Sequence, residues 1–436
     1  MAPPAAVNSP SLWSASSASI RRFPMGPSLP RVSSRKRRSP STVLRLRCQR
    51  CQRRKLRRPR CLTVQLRTRP ESGDVSRVSS PTSPRHVCVV GGGVVGSTVA
   101  WLLSCRGHRV ALYDPGTAAR TASLAALGVL MGHCSQTGSG RGWRLRKRSI
   151  AAYRQWLPLL QAEGHHLPHR WGLTLAVHDQ GLAERLQQLV VLRRKQAITL
   201  TWQAGAVARR SCPWLAWDDG LLGLLHSPHD GQVDPGSLIE ALGRSALARG
   251  LVRWREQVTA LAARPAGGWR LQGANGSQQD CEAVLLCNGL GGPALLQRSG
   301  LDLNPALQLE PVLGQAAELR LRSPAPLDHA WMWRGVNLIP RAPGHLWIGA
   351  TLEPGEQASG SAFEQLLGLG GAAPPWLQGA ELMRRWQGLR PRPIGRPAPV
   401  LEQVATGLWL ALGHYRNGTL LAPATALWLA EALERG

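Results

Sequence analysis

The chain has 436 residues, of which 43% are hydrophobic, so it is long enough for two or three domains and too apolar to be disordered throughout. Its 54 basic residues outnumber 25 acidic ones, but 20 of the basic residues lie in residues 1–85. The rest of the chain is only mildly basic, which argues against a protein that coats nucleic acid along its whole length. Nine cysteines at irregular spacing disfavour a secreted disulfide framework.

Residues 1–85 form a basic leader that is rich in Ser, Pro and Arg and has no regular apolar period. Such a segment cannot bury enough apolar surface to offset its ordering entropy, so we predict that it is disordered. Three interpretations fit its composition: an organelle transit segment, a tail that contacts nucleic acid or another anionic surface, and sequence upstream of the true start. We rank the binding tail below the other two. The expected location is the cytoplasm, or a plastid or other organelle if the leader is a transit segment.

A strand, a glycine loop, a helix and a second strand are predicted from residue 86 onward. The apolar run 86–90 predicts a buried strand, and residues 97–103 predict the first turns of a buried helix. Between them lies Gly91-Gly-Gly93-Val-Val-Gly96, and a second predicted strand over 108–113 ends at Asp114. This is the G-x-G-x-x-G dinucleotide fingerprint in its full context. The run from Val87 to Leu103 is 17 residues long and contains four glycines, which is too short and too rich in glycine for a membrane span, so we expect none.

Each residue of the fingerprint has a physical task. Gly91 permits the tight turn out of the strand, Gly93 lets a pyrophosphate approach the backbone, and Gly96 lets the helix pack closely on the sheet. The helix N-terminus offers free N–H groups to the phosphates. Asp114 lies 18 residues after Gly96, within reach of a ribose diol, and its carboxylate would repel the 2′-phosphate of NADP.

The fingerprint alone does not distinguish FAD from NAD, but the chain that follows it does. An NAD domain would continue with further βα units, whereas residues 121–131 form a small-residue segment around Gly128 that suits close approach to a flat ring. The remaining elements are predicted from apolar periodicity and from Pro and Gly breaks. They are helices over 232–250 and 420–434 and strand-like runs across 299–352, such as 315–320 and 345–348.

Two motifs near the C-terminus carry a resemblance to a known family. They are Trp386-Gln-Gly388-Leu-Arg390-Pro391 and Gly413-His414-Tyr415-Arg416-Asn417-Gly418-Thr419-Leu420. With them, the chain from about residue 86 to its end resembles the FAD-dependent amine oxidases of the D-amino-acid oxidase, sarcosine oxidase and glycine oxidase group. The match is strongest to the glycine oxidases of the thiazole branch of thiamine synthesis. Further landmarks follow in the expected order at 230–235, 285–289, 311–315 and 348–351.

The resemblance implies an α/β fold in which a Rossmann-like FAD-binding domain is interwoven with a mixed-sheet substrate domain, preceded by the disordered basic leader. The FAD-binding domain would comprise residues 86–140, 230–300 and 385–436, and the substrate domain residues 141–229 and 301–384. The cofactor implied is FAD. Sarcosine oxidases attach the flavin to a Cys in the stretch between the two C-terminal motifs; no Cys occurs there, so we expect non-covalent FAD. We also expect a homo-oligomer and no metal.

The implied activity is oxidation of glycine, or a similar small amine or amino acid, to the imine and then to an oxo acid and ammonia, with oxygen reduced to hydrogen peroxide. The alternative is a related oxidase or dehydrogenase that acts on sarcosine, a D-amino acid or another secondary amine. By resemblance, Arg390 clamps the substrate carboxylate and Arg416 supports the pocket, as the fork of a guanidinium matches a carboxylate. His414 is expected to be structural rather than a general base. The predicted FAD contacts are Gly91, Gly93, Val94, Val95, Gly96, Asp114, Gly128, Gly289, Gly413, His414, Tyr415, Arg416, Asn417, Gly418, Thr419 and Leu420.

The sequence departs from the family pattern at two places near the substrate. Many relatives have a Tyr at the position of Asn337, so that contact is lost or replaced. Residues 391–395 also lack the Asp that is common in the family. Both departures concern the identity of the substrate more than the fold.

Overall fold

The computed structural model describes residues 83–116, 121–303 and 305–435, so the prediction for the leader lies outside the described residues. The helices are α1 (Val94–Cys105), α2 (Ala122–Ala125), α3 (Gly140–Ala162), α4 (Gln180–Lys195), α5 (Gly205–Ser211), α6 (Pro235–Leu247), α7 (Gly291–Arg298), α8 (Gly360–Leu367) and α9 (Gly418–Arg435). Among the described residues, no helix has the length and apolar character that a membrane span requires.

The strands form a six-stranded, a three-stranded and a ten-stranded sheet. In chain order they are β1 (His86–Val90), β2 (Arg109–Tyr113), β3 (Val129–Leu130), β4 (His169–Val177), β5 (Thr201–Ala204), β6 (Gly223–Val233), β7 (Val252–Trp254), β8 (Val258–Ala263), β9 (Trp269–Gly273), β10 (Gln278–Cys281), β11 (Ala283–Leu286), β12 (Leu309–Arg320), β13 (Ala330–Trp333), β14 (Val336–Pro340), β15 (His345–Gly349), β16 (Glu353–Pro354), β17 (Glu381–Pro393), β18 (Val400–Ala405) and β19 (Leu408–Leu412).

The six-stranded sheet has the order β18-β19-β11-β1-β2-β7 and is buried on both faces. Side chains alternate across a strand, so Val87 and Val89 of β1 face one layer while Cys88 and Val90 face the other. The first pair packs with apolar residues of α1, α3, α6 and α9. The second pair packs with the three-stranded sheet and α7. This three-layer arrangement explains why β1 is apolar along its whole length.

The ten-stranded sheet runs β16-β12-β15-β14-β13-β4-β6-β3, with β17 added beside β12 and β5 beside β6. One face carries Trp331, Trp333 and Ile348, which pack with apolar residues of α5 and α8. The other face carries Leu173 and Leu175 among its residues and packs with α4 and Leu127. That second face turns toward the dinucleotide loop and forms one wall of the cavity described below.

The predicted α/β fold is confirmed, as are the strands near 86–90 and 108–113 and the helices near 232–250 and 420–434. The predicted domain bounds at 230 and 385, however, cut through strands of the ten-stranded sheet. β6 continues to Val233, and β17 pairs with β12 from Glu381 to Pro393. Residues 230–233 and 385–393 therefore belong with the large sheet. The sequence does not mark these strand ends, because strand pairing between distant parts of the chain has no local signature. The division into two domains stays a prediction.

Candidate active site

The loop after β1 has the geometry that the fingerprint predicts. Gly91 has φ of 102°, and a Cβ there would lie 2.6 Å from Asn288 Cα, so only glycine fits. A Cβ on Gly96 would overlap the carbonyl oxygen of Gly91. Helix α1 begins at Val94; its N-cap residue is Gly93, which has no side chain, and within the described chain only the N–H of Val94 in this turn is bonded to a side chain, Ser123 Oγ at 3.0 Å. Its first turn therefore offers backbone N–H groups and a partial positive charge to an anion at this end of the sheet.

Asp114 follows β2 and lies against the glycine loop. Its Oδ2 accepts a hydrogen bond from Gly92 N at 2.5 Å, and its Oδ1 accepts one from Gly116 N at 2.8 Å. These bonds hold the carboxylate at the edge of the sheet, where it lines the same cavity as Gly91. The position suits hydrogen bonding to ribose hydroxyls, as the sequence predicts.

A single large cavity, of about 1650 Å³, connects the glycine loop with the ten-stranded sheet. All of the predicted cofactor and substrate residues line it except Gly96, which is buried inside α1. The cavity also has walls that sequence reasoning missed. They include Ser123, residues 256–258, Asn288, Met131, residues 134–137, Met332 and Arg334.

Residues 121–128 form a segment between the two large sheets. Gly128 has φ of 75°, and a Cβ there would overlap the carbonyl oxygen of Val233. On the facing sheet, a Cβ on Gly388 would lie 2.9 Å from Thr121 O, and a Cβ on Gly349 would lie 2.9 Å from Leu127 Cδ1. The segment can therefore lie close to the sheet only because glycines face it.

Arg390 lies on the same sheet face, over the neighbouring strand. β17 and β12 pair so that Gly388 is opposite Gly314 and Arg390 is opposite Val312. The half-buried Arg390 donates a hydrogen bond from Nη1 to the carbonyl oxygen of Leu313 at 3.0 Å. A side chain on Gly314 would overlap the guanidinium. The term glycine floor is used below for Gly314, Gly349 and Gly388, three glycines of this sheet face on β12, β15 and β17.

Two positive charges meet at this end of the cavity. Arg416 lies in the 3₁₀ turn Tyr415–Asn417, which precedes α9. Burial lowers the pKa of Arg390 to about 10, with a further contribution from the charge of Arg416, while Tyr415 and Glu353 act in the opposite direction. A guanidinium with a depressed pKa is still charged at neutral pH, and it is stabilised by an anion. The site is thus suited to a carboxylate.

His414 is held away from acid–base chemistry. It is buried, and its Nε2 lies 2.9 Å from Thr425 Oγ1 of α9. Burial, with a smaller contribution from the charge of Arg141, lowers the pKa of His414 to about 3. The imidazole is therefore neutral at physiological pH, and its hydrogen bond ties the end of β19 to α9. Its structural role stays a prediction.

A buried Arg and a buried Asp hold the opposite wall of the cavity. The carboxylate of Asp230 accepts hydrogen bonds from the N–H groups of residues 132–134 at 2.7 to 2.9 Å. The fully buried Arg193 donates to the carbonyl oxygens of residues 133, 135 and 137, and its guanidinium lies 3.5 Å from the ring centroid of Trp143. Together they fix residues 132–137, part of which lines the cavity.

Asn337 lies on β14, where its partners across the sheet are Gly349 on β15 and Met332 on β13. Its Nδ2 donates to the carbonyl oxygen of Gly349 at 3.2 Å. Both Asn337 and Met332 line the cavity. The position where relatives carry Tyr is thus part of the site, with a shorter, polar side chain.

Residues 86–432 match the family model described as FAD dependent oxidoreductase. The chain belongs to this family. It is 30% identical to the glycine oxidase of Geobacillus kaustophilus over 364 residues, which covers 80% of this chain and 93% of that protein. It is 28% identical to the bifunctional protein ThiO/ThiG of Synechocystis sp., covering 80% of this chain and 51% of that protein. The crystal structure of glycine oxidase from Bacillus cereus superimposes with a TM-score of 0.71 at 26% identity, over 80% of this chain and 95% of that chain.

The recognised family and the FAD cofactor are therefore confirmed, and the chain is an FAD-dependent oxidoreductase. The cavity suits such a cofactor, because the N-terminus of α1, where phosphate could bind, the Asp114 carboxylate, where ribose hydroxyls could bind, and two glycines of the large sheet, Gly314 and Gly388, line one continuous space. Within the described ranges, no group of three His, Cys, Asp or Glu side chains is arranged to hold a metal ion. The roles of the individual site residues stay predictions.

Proposed function

We propose that this oxidoreductase oxidises glycine, or a similarly small amine that carries a carboxylate, in the thiazole branch of thiamine synthesis. The products are an imine, which hydrolyses to an oxo acid and ammonia, and hydrogen peroxide from oxygen. One observation carries the proposal. The Arg390 guanidinium lies over Gly314, close to Arg416, in the cavity that also contains the dinucleotide loop.

Arg390 would hold the substrate carboxylate. Its Nη1 is bonded to Leu313 O, which fixes the plane of the guanidinium and leaves other N–H groups for a carboxylate. The charge of Arg416 adds to the attraction. A substrate anchored at one end has its Cα restricted to a small volume, and this restriction supplies the orientation that the reaction needs.

The FAD would be held non-covalently by the loop of residues 91–96, by Asp114, by residues 121–128 and by residues 413–420. When bound, the flavin supplies the acceptor for the hydride from the substrate Cα and passes the electrons to oxygen. The N-terminus of α9 would place a partial positive charge beside it, because Thr419 and Leu420 line the cavity. That charge favours an anionic reduced cofactor.

The protein would bind the substrate with its amine neutral. The two guanidinium charges disfavour a third positive charge nearby, so they lower the pKa of the bound amine. His414 takes no part in this proton transfer, because its pKa of about 3 makes the imidazole too weak a base and its Nε2 is bonded to Thr425. The amine proton is therefore released to solvent on binding rather than transferred to a side chain of the chain.

The second candidate is a related oxidase or dehydrogenase for sarcosine, a D-amino acid or another secondary amine. Asn337 favours it, because a short side chain replaces the Tyr of many relatives and leaves room beside Met332. The two candidates share the carboxylate site at Arg390 and differ in the space around the amine and Cα.

The test is to purify the full chain and titrate it with glycine, sarcosine and D-alanine in the absence of oxygen. We expect a yellow protein whose flavin absorption bleaches with glycine, and equal amounts of peroxide, ammonia and glyoxylate in air. Bleaching by glycine with no peroxide in air would indicate a dehydrogenase. A protein that stays colourless after incubation with FAD, or one that no amine bleaches, would refute the proposal.

A further inference from the structure

We propose that the outer part of the cavity binds a second acidic group of the substrate and that Arg146 contacts this group. Amines that carry two acidic groups, such as N-(carboxymethyl)glycine or an amino dicarboxylate, would then belong to the substrate class. The inference rests on the proposed function, since it adds a second carboxylate site to the cavity that contains Arg390.

The outer part of the cavity is the end lined by residues 134–137, Arg146, residues 175–179, Arg185 and Arg334. Some of these residues, including Arg185 and Arg334, are exposed, so this end opens toward solvent. None of them is among the predicted FAD contacts. A bound FAD therefore leaves the outer part to the substrate.

Arg146 has no anionic partner within the described chain. It lies on α3 and is half-buried, and its single hydrogen bond there runs from Nη1 to the carbonyl oxygen of Gly142 at 3.4 Å. Its Nε is buried without a partner, whereas its Nη2, which makes no hydrogen bond either, keeps accessible surface. By contrast, Arg148 on the same helix makes an ion pair with Glu431. A half-buried guanidinium with an accessible, unbonded N–H group is stabilised by an anion that enters the cavity.

The electrostatic surroundings of Arg146 lead to the same conclusion. Burial lowers its pKa, and the charge of Asp230 acts in the opposite direction. Asp230 does not replace a ligand, because its oxygens accept hydrogen bonds from the N–H groups of residues 132–134. The guanidinium is still charged at neutral pH, so charge-assisted hydrogen bonds to a carboxylate would compensate for the lost hydration.

The outer part as a whole has an excess of positive charge. It contains three arginines, Arg146, Arg185 and Arg334, and one carboxylate, Asp179. Asp179 caps α4, where its Oδ1 accepts a hydrogen bond from Leu182 N at 2.6 Å. None of the three arginines makes an ion pair with a described residue. A cleft lined mainly by one sign of charge raises the local concentration of ligands of the opposite sign.

Backbone contacts fix the positions of the two cations. Arg390 is bonded to a backbone carbonyl group. A Cβ on Gly142 would lie 3.5 Å from both Arg146 Nη1 and Thr137 Cγ2, so the guanidinium lies beside the loop that contains Thr137. Arg193 holds this loop through two of its carbonyl oxygens. Two fixed cations bind a ligand together only if its acidic groups have a matching separation, so we expect a preference for one chain length.

The test measures binding of the dicarboxylates from malonate to pimelate to the holoenzyme at pH 8, by the change in flavin absorption. Each is compared with the monocarboxylate of the same chain length, which cancels the contribution of the chain. At least one dicarboxylate should bind wild type about tenfold more tightly than its monocarboxylate. Arg146→Met should reduce this advantage to less than about twofold and change the Kd of the monocarboxylate by less than about twofold. Arg144→Met is the control, because Arg144 is exposed on the same helix and does not line the cavity.

Turnover provides a second measurement. In Arg146→Met, kcat/KM for N-(carboxymethyl)glycine should fall about tenfold, while kcat/KM for glycine should stay within about twofold of wild type. Arg146→Lys keeps the charge but loses the guanidinium fork, so it should reduce the dicarboxylate advantage without abolishing it. FAD content and Tm of each variant report whether it is folded.

The proposal is overturned if no dicarboxylate binds wild type more tightly than its monocarboxylate, or if Arg146→Met keeps the advantage or weakens both ligands equally. If Arg146→Met does not retain FAD, an unchanged advantage in Arg146→Lys refutes the proposal instead. Failure of the proposed function looks different, because no amine would then bleach the flavin. The carboxylate series needs no turnover, and for a colourless protein the same series can be measured as ΔTm, so it tests Arg146 in either case.

Discussion

Replacing Arg390 with Met separates the charge of this side chain from its packing, because Met has a similar length and flexibility. In the folded protein Arg390 uses Nη1 for Leu313 O, and the rest of its guanidinium is available to a ligand. Two charge-assisted hydrogen bonds to a carboxylate contribute about 1.5 to 3 kcal/mol each. Their loss should cost about 3 to 5 kcal/mol of transition-state binding, which lowers kcat/KM for glycine by about 10²- to 5 × 10³-fold.

The same substitution should not destabilise the protein without substrate. Burial and the neighbouring Arg416 both disfavour the charge of Arg390, as its lowered pKa shows. Removing a desolvated cation that repels its neighbour relieves this cost, so we expect an unchanged or slightly raised Tm, by the equivalent of about 1 kcal/mol. Loss of activity with retained or increased stability distinguishes a ligand-binding residue from a structural one.

The assay measures kcat/KM by peroxide production, Tm of the holoenzyme, and the increase in Tm caused by acetate. Arg392→Met is the control, because Arg392 lies two residues further along β17, is exposed and pairs with Glu310 at 2.7 Å. It should change kcat/KM less than twofold. The reasoning is refuted if Arg390→Met keeps kcat/KM within a factor of ten of wild type, or if acetate stabilises that variant as much as wild type.

Two further predictions concern buried charges and buried neutral groups. His414 has a pKa of about 3 in the folded protein, against about 6.5 when unfolded, so the unfolded state binds more protons below pH 6.5 and stability falls as the pH is lowered. The free energy of unfolding in urea, measured at pH 7, 6 and 5, should fall in the wild type as the pH is lowered. In His414→Asn it should fall less steeply, by up to about 1.4 kcal/mol per pH unit. Equal slopes for the two proteins would contradict the lowered pKa of His414. Arg193→Met should cost about 3 kcal/mol and increase hydrogen exchange in residues 132–137, because it leaves three carbonyl groups unpaired, whereas the exposed neighbour Arg194→Met should not. Unchanged exchange in Arg193→Met would show that the loop is held by Asp230 alone.

The dinucleotide end of the molecule was predictable because its signals are local. The apolar run of β1, the glycine loop and Asp114 follow one another within 29 residues, and each glycine meets a neighbour that excludes a Cβ. The same holds for Gly388 and Arg390, which share a short motif on one strand.

The extent of β17 and the wall around Arg193 could not be predicted in the same way. Residues 382–385 are all exposed, so the start of this strand lacks the alternation of buried and exposed residues that predicts a strand. Arg384 lies 4.6 Å from the ring centroid of Trp386, a contact that the sequence does not indicate. Arg193 is one of 50 arginines, and neither its spacing nor its neighbours mark it as buried. Its partners are 56 to 60 residues away along the chain, a separation that only the folded structure reveals.

The glycine floor also limits how this enzyme can change its preference among amines. Gly314 lies under the Arg390 guanidinium, and Gly349 and Gly388 lie under residues 121–127, so any larger residue at these positions displaces the guanidinium or the segment itself. Adaptation to a new ligand would therefore have to use other residues that line the cavity, such as Asn337 and Met332. A library that varies these lining residues and keeps the three glycines is the direct route to altered selectivity.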